Sequence, residues 1–262
     1  MPIAVVTGAG SGLGRAIAVD LANRGFLVHA TDLDAAAAAR TAAEIGAGAS
    51  AAELDVRDEA ACRAAAAEAT TRAGSLDLWV NNAAALITGP TWEQDEEARR
   101  TMLDVNALGT MNGTVAALDR MLPVERGHVV NVISLGGLVA APGEVAYSAA
   151  KHAALAFTLG TRFDLRRSGV RGIEISAVCP DGIWAPEPEE RREGPSAASS
   201  SNHRGAAERV AVEVGRLVER PQALLTLPRW RGSVLRIFDL FPGLALRALP
   251  FVMQSAQRRQ GR

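Results

Sequence analysis

The chain of 262 residues holds one tyrosine, one lysine and two cysteines. Cys62 and Cys179 are far apart and outside any ligand spacing, which excludes a disulfide framework and fits a reducing compartment. His29, His128, His152 and His203 are equally scattered, so no metal site is expected. A formal net charge of −1 gives no basic field to gather nucleic acid. No run of apolar residues approaches the ~20 that a membrane-spanning helix needs. The first strand-like segment, Ile3–Thr7, starts almost at the initial methionine, with no charged leader before it. The expected compartment is the cytoplasm.

The scarcity of lysine and tyrosine is itself informative. Against 27 arginines there is only Lys151, and it lies four residues after the single tyrosine, Tyr147. Arginine and phenylalanine fill most structural roles of lysine and tyrosine. A lone pair kept at helical spacing points to chemistry that those substitutes lack.

Strand-like and helix-like patterns alternate along the chain. Short β-branched runs occur at Ile3–Thr7, Phe26–Thr31, Leu76–Val80, Gly127–Ser134, Gly172–Val178 and Gln222–Leu227, with a poorer candidate over Ala49–Leu54. Amphipathic or Ala-rich stretches lie between them: Leu13–Arg24, Asp34–Ile45, Asp58–Ala73, Glu93–Met121, Val145–Arg167 and Ala206–Glu219. This pattern predicts an α/β fold, a doubly wound Rossmann-like parallel sheet of about seven strands with helices on both faces. One domain over residues 1–228 is expected, with 185–205 a mobile loop over the substrate. The Pro-, Glu- and Ser-rich composition of that loop has no apolar period. Residues 229–262 are expected to form a basic, apolar helical tail.

The first strand runs into Thr7-Gly8-Ala9-Gly10-Ser11-Gly12-Leu13-Gly14 and then directly into a helix. Glycines there allow a tight turn and close approach to a pyrophosphate at the helix N-terminus. The second strand ends at Asp32, about twenty residues on, where a carboxylate accepts from ribose hydroxyls and repels a 2′-phosphate. Ser11 offers such a phosphate no positive charge, although Arg15 and Arg40 are near in sequence. NAD rather than NADP is the expected cofactor.

With these motifs the sequence resembles the short-chain dehydrogenase/reductase family, in its compact single-domain branch. The glycine spacing Thr7-Gly-x-x-x-Gly12-x-Gly14 is that branch's pattern, and the likeness runs from about residue 3 to about 228. The resemblance implies an adenine contact at Asp55 and Val56, and cofactor contacts at Asn82 and Ala83 within Asn81-Asn82-Ala83-Ala84. It gives Asn106, in Val105-Asn106-Ala107-Leu108-Gly109, the place of the family's active-site asparagine. Ser134, thirteen residues before Tyr147, matches the family's serine, and Tyr147-Ser-Ala-Ala-Lys151 its Tyr-x-x-x-Lys signature. Pro180 and the backbone of Ile183 correspond to nicotinamide contacts. Three positions depart: Ala84 and Asp181 replace the usual glycines, and Ala185 the usual threonine.

The chemistry follows from the spacing. Tyr147 and Lys151, at i and i+4, share one helix face. A phenol with an ordinary pKa of ~10 is a poor base, and a nearby ammonium together with the positive charge of oxidised nicotinamide is expected to pull it down. Tyr147 then exchanges a proton with the substrate oxygen while hydride moves to or from the nicotinamide. Ser134 donates to that oxygen, and Asn106 holds a water behind Lys151. Trp92, Leu135, Leu138, Val139 and Trp184 incline the substrate towards a lipophilic secondary alcohol or ketone. Two other readings stand beside this one: a non-catalytic dinucleotide-sensing protein, and an NAD-dependent epimerase or dehydratase. A homo-dimer or homo-tetramer is expected through the helices after the fourth and fifth strands. From Gln222 onward seven arginines accompany one acid. The tail's wide apolar face is expected to pack on a neighbouring subunit or over the pocket, with peripheral contact to an anionic membrane as the alternative.

Overall fold

The computed structural model describes residues 1–181, 206–241 and 243. The expected loop at 185–205 and the tail beyond residue 243 lie outside the described residues, as does Ile183. Seven strands form one parallel sheet: β1 (Ile3–Thr7), β2 (Leu27–Asp32), β3 (Ala49–Glu53), β4 (Leu78–Asn81), β5 (Gly127–Val132), β6 (Ile173–Pro180) and β7 (Leu224–Leu227). Their order is β3-β2-β1-β4-β5-β6-β7. The helices are α1 (Gly12–Asn23), α2 (Ala35–Ile45), α3 (Glu59–Ala73), α4 (Glu96–Leu103), α5 (Gly109–Met121), α6 (Val145–Arg167), α7 (Ala206–Glu219) and α8 (Arg229–Leu240).

Alternation along β1 shows why the sheet is covered twice. Ile3 and Val5 pack with Cys62, Ala65 and Ala69 of α3 and with Ala116, Ala117 and Met121 of α5. Ala4 and Val6 face the other way, onto Ile17, Ala18 and Leu21 of α1 and Val210, Val214 and Leu217 of α7. A strand buried on both faces needs helices on both, and this run of small apolar residues has no polar side to offer water. The Ala-rich segment with poor β propensity does form β3, as a half-buried edge strand paired to β2. Strand order reverses between β1 and β4, so the crevice beyond their carboxyl ends is where such sheets bind ligands.

The single helix expected over Glu93–Met121 is a composite. It begins at Glu96, after the Asp95 side chain caps it by accepting the Ala98 N–H at 2.7 Å. One π-helical turn, Asp104–Leu108, then separates α4 from α5. Within it Asn106 donates to the carbonyls of Met102 and Ala85, at 2.8 and 2.7 Å. These two bonds tie the widened turn to the chain after β4. Periodicity alone cannot report such a turn.

A polar seam crosses the otherwise apolar core. The Asn81 amide donates to Asn131 Oδ1 at 2.8 Å and to Thr114 Oγ1 at 3.1 Å, and its oxygen accepts Trp79 Nε1–H at 2.7 Å. Asn131 in turn donates to Thr158 Oγ1 of α6 at 2.8 Å. Gly113 makes room for this: a Cβ there would lie 2.0 Å from Asn81 Oδ1 and 2.7 Å from Trp79 Nε1. Helix propensity alone would make Gly113→Ala stabilising by ~1 kcal/mol. The clash reverses that sign, and the substitution is expected to destabilise by ~1–3 kcal/mol in urea unfolding. A more stable variant would show that the seam yields without loss.

Candidate active site

The glycine loop forms a cradle at the carboxyl end of β1. Gly8 and Gly12 have φ of +63° and +52°, and a Cβ on Gly14 would stand 2.0 Å from the Gly8 carbonyl oxygen. Only glycine lets the loop close on the start of α1 in this way. Asp34, Asp58 and Asp95 cap α2, α3 and α4 with their side chains, whereas Ser11 makes no such bond at α1. Exposed Ser11 and half-buried Leu13 therefore leave the N–H groups of this helix facing the crevice. The cradle and the uncapped N-terminus together fit a dinucleotide pyrophosphate.

Asp32 stands at the end of β2, accepting from the Gly10 N–H at 2.8 Å and the Asp34 N–H at 3.0 Å. A Cβ on Gly10 would crowd Asp32 Oδ2 at 2.8 Å, so Gly10 is what lets this carboxylate sit against the loop. Arg15 is held by both oxygens of Glu44, each at 2.7 Å, and Arg40 lies 3.8 Å from Asp34. Asp55 is engaged by Arg57, which donates from its backbone and guanidinium and holds the carboxyl below its usual range. Val56 is buried; on Gly109 a Cβ would lie 2.6 Å from its side chain.

On the other side of the crevice, Thr7 acts as a latch that the sequence did not flag. Its hydroxyl accepts the N–H groups of Asn82 and Ala83 at 3.0 and 3.1 Å. Asn82 Nδ2 returns bonds to the carbonyls of Thr7 and Gly8, at 3.0 and 3.2 Å. Ala84, where a glycine is usual, is exposed.

Two residues beyond β5, Ser134 takes a φ of +150° and caps a short 3-10 turn, Leu135–Gly137, by accepting the Gly136 N–H at 3.1 Å. Gly136 lies against the Tyr147 ring, and a Cβ on Gly137 would meet the Lys151 carbonyl oxygen at 3.0 Å. These two glycines bring α6 onto the turn. The Ser134 side chain lies close enough to half-buried Tyr147 to pull its pKa down. Lys151 is fully buried, donates to the Val132 carbonyl at 3.1 Å and stands 5.7 Å from the Tyr147 ring centre. The four expected catalytic residues thus lie on the turn after β5, on α6 and on the π-helical turn. Ser134, Tyr147 and Lys151 are close neighbours, while the Asn106 side chain is committed to Ala85 and Met102 rather than to Lys151.

In the protein alone, burial governs both groups. Burial pushes Tyr147 up to about 12, with the Ser134 side chain pulling the other way and the Glu144 and Cys179 charges adding to the rise. Burial also draws Lys151 down to about 8. An ammonium that is itself desolvated and turned to a carbonyl cannot overcome the phenol's loss of water.

At the end of β6, Pro180 is buried beside β7, and the Asp181 N–H donates to the Leu227 carbonyl at 2.7 Å. Asp181, at the usual glycine position, pairs through its carboxylate with Arg231 of α8. Leu135 and Leu138, read as pocket candidates, are buried in a cluster with Ile133, Cys179 and Leu235. Val139 is half-buried and Trp92 is exposed; Trp184 and Ala185 lie outside the described residues. No group of three or more potential metal ligands occurs among the described residues.

A parallel sheet whose strand ends carry a glycine cradle on one side and a Ser-Tyr-Lys cluster on the other defines a nicotinamide-dependent oxidoreductase. Residues 2–195 match the short chain dehydrogenase family model. The chain belongs to the short-chain dehydrogenase/reductase family. It is 36% identical over 191 residues to the 1-deoxy-11-beta-hydroxypentalenate dehydrogenase of Streptomyces exfoliatus, covering 70% of this chain and 68% of that one. It is 38% identical over 184 residues to 2-(S)-hydroxypropyl-CoM dehydrogenase 3 of Xanthobacter autotrophicus, covering 69% and 71%. The chain spans about two thirds of the length of the curated relatives it matches. A short-chain dehydrogenase/reductase from Burkholderia phymatum, solved in complex with NAD, superposes with a TM-score of 0.84 at 26% identity, over 93% of this chain and 95% of that one.

Burial of Lys151 gives a test independent of turnover. Its folded pKa of about 8 lies below the ordinary 10.5, so between those values the unfolded chain holds more protons and stability rises with pH. Below pH 8 the protein bears the full cost of a buried ammonium. Lys151→Met is expected to raise the stability of the cofactor-free protein at pH 7 by ~1–3 kcal/mol. The gain should shrink as pH climbs from 8 towards 10.5. Urea titrations at pH 7 and 9.5 read this, and a destabilised variant at pH 7 would contradict it.

Proposed function

We propose that the chain transfers a hydride between NAD(H) and a secondary alcohol or ketone, with Tyr147 as the acid/base. The carrying observation is the neighbouring Ser134 and Tyr147 side chains with the buried Lys151 ammonium behind the ring. A bound nicotinamide supplies the hydride donor or acceptor. Tyr147, protonated at neutral pH, is ready to give its proton to the oxygen of a ketone as negative charge develops there. Ser134 donates a second hydrogen bond to the same oxygen. Lys151 offers a positive charge that favours the phenolate once the proton has left. Asn106 is assigned a positioning role, since its amide joins the π-helical turn to Ala85.

NAD is favoured over NADP by three side chains. Asp32 presents a carboxylate at the ribose end of the cradle, and Arg15, the cation nearest the loop, is bound by Glu44. Arg40 pairs loosely with Asp34. Gly8, Gly12, Gly14, Asp55, Val56, Asn82, Ala83 and Pro180 complete the proposed cofactor contacts. The dehydrogenase names of the Streptomyces and Xanthobacter relatives support an alcohol or ketone substrate.

A homo-oligomer is also proposed. Leu103 and Leu108, at and after the end of α4, and Phe163 of α6 are exposed apolar side chains of the helices expected to pair. The exposed stripe on α8 is assigned to the same kind of protein packing. The flanking arginines would allow an anionic membrane interface in its place. Among the described residues no helix is long and apolar enough to cross a membrane.

Absorbance at 340 nm during net turnover separates this reading from both a dinucleotide sensor and an epimerase. Tyr147→Phe is expected to lower kcat by ~100-fold or more while NADH binding stays near wild type. Turnover retained by that variant would remove Tyr147 from the mechanism. In wild type, kcat/KM is expected to be higher with NADH than with NADPH, and Asp32→Ala should narrow the difference. Equal values for the two cofactors in wild type would refute the role given to Asp32.

A further inference from the structure

α8 carries its polarity the wrong way round for a surface helix. Its solvent side shows Trp230, Val234, Ile237 and Phe241, at spacings of four, three and four residues, all of them exposed. The opposite side contains Gly232, Leu235 and Arg236, one turn apart. Gly232 is buried against β7, where a Cβ would lie 2.3 Å from Thr226 Oγ1. Leu235 packs into the cluster of Ile133, Leu135, Leu138 and Cys179, directly beneath the Ser134 turn. Arg231 is tied to Asp181 at the end of β6. These contacts fix the helix over the carboxyl ends of β6 and β7 and turn Arg236 towards the site side.

A helix with an apolar outer face and a cation on its inner face is not arranged for solvation. We propose that Arg236 anchors an anionic oxo group, a carboxylate or its equivalent, carried by the substrate whose carbonyl or hydroxyl meets Tyr147 and Ser134. This inference rests on the oxidoreductase reading of that site.

Three observations bear on it. The guanidinium of Arg236 is exposed, so a ligand can reach it. No carboxylate among the described residues pairs with it, whereas Arg231, on the preceding turn, is taken by Asp181. Its charge is felt by the buried thiol of Cys179, which it draws down against the burial that pushes that thiol up to about 11. Leu235, one residue before Arg236, packs on Cys179 and Leu135, so Arg236 stands on the side of the fold that carries the Ser134 turn. The acidic residue on the Tyr147 side is Glu144, which opposes negative charge there. An anionic substrate needs a compensating cation, and a guanidinium meets a carboxylate with two parallel donors.

The test uses a matched pair, 7-oxooctanoate and its methyl ester, which differ in charge and hardly in shape. With NADH and wild type, kcat/KM for the acid is expected to exceed that for the ester by ~10-fold or more. Arg236→Ala should bring the ratio close to one, and Arg236→Lys should restore part of it. High salt should lower the ratio in wild type. A wild-type ratio near one, or a ratio that Arg236→Ala leaves unchanged, overturns the inference. Calorimetric titration of both compounds into the enzyme–NAD complex, where no hydride can pass to a ketone, reads binding without turnover. If neither compound is reduced, the oxidoreductase reading loses its support. Tighter binding of the acid that Arg236→Ala abolishes would still uphold the anion site, and equal or absent binding would overturn it.

Discussion

The hydrogen bond between Asn81 and Asn131 is the contact on which the geometry of the site depends. Both amides are buried, and each can be satisfied only if β4 and β5 lie in one register and α5 and α6 bring Thr114 and Thr158 to them. A slip of either strand would strand several polar groups in an apolar core. The same residues sit next to the functional ones. Asn82 follows Asn81, and Ser134 comes three residues after Asn131. Thr110, which donates to the Asn106 carbonyl at 2.9 Å, also offers its own carbonyl to Asn81. Thr158 lies two turns beyond Lys151 on α6. Satisfying the seam therefore sets the positions of cradle, serine turn and Tyr-Lys face together.

Much of this was legible because strong local signals agree with one another. Alternating apolar runs and Ala-rich helices give the sheet and its two covers, and the Gly8–Gly14 spacing gives the cradle. What escaped the sequence is interaction between distant residues. Thr7 reads as the last residue of a strand, yet its hydroxyl serves Asn82 and Ala83, over seventy residues away. Asn131 reads as one polar residue inside an apolar strand. Gly136 and Gly137 read as a turn, although their use is to admit α6. The π-helical turn at Asp104–Leu108 leaves no trace in a 3.6-residue period, because the residues on either side remain good helix formers.

The lowered Tyr147 pKa expected from the sequence needs the charge of oxidised nicotinamide as well as that of Lys151, and in the protein alone burial acts the other way. Sequence spacing shows that an ammonium is near, but not how much water either group has lost. In the folded protein both are desolvated, and the two shifts run towards the neutral forms: phenol up, ammonium down. Each group is thus drawn towards its neutral form, and an added positive charge beside the pair is screened less than it would be in bulk water. A low-dielectric site of this kind makes the proton's location sensitive to what binds, which suits a group that must give and take it in turn.

Asp181 shows how a departure from a family pattern can be read physically. A glycine at the end of β6 would make no side-chain bond, and the start of α8 would be held there by its backbone alone. The carboxylate recruits Arg231, joining the end of β6 to α8, while the Asp181 N–H continues the pairing with β7. Such a partly exposed pair contributes little stability by itself, ~0–1 kcal/mol. Its effect is geometric. With Arg231 fixed on one turn and Gly232 pressed on Thr226, the helix cannot rotate, and the next turn must present Leu235 and Arg236 to the same side. The Asp181–Arg231 pair thus adds to the packing of Gly232 and Leu235 in setting the rotation of α8.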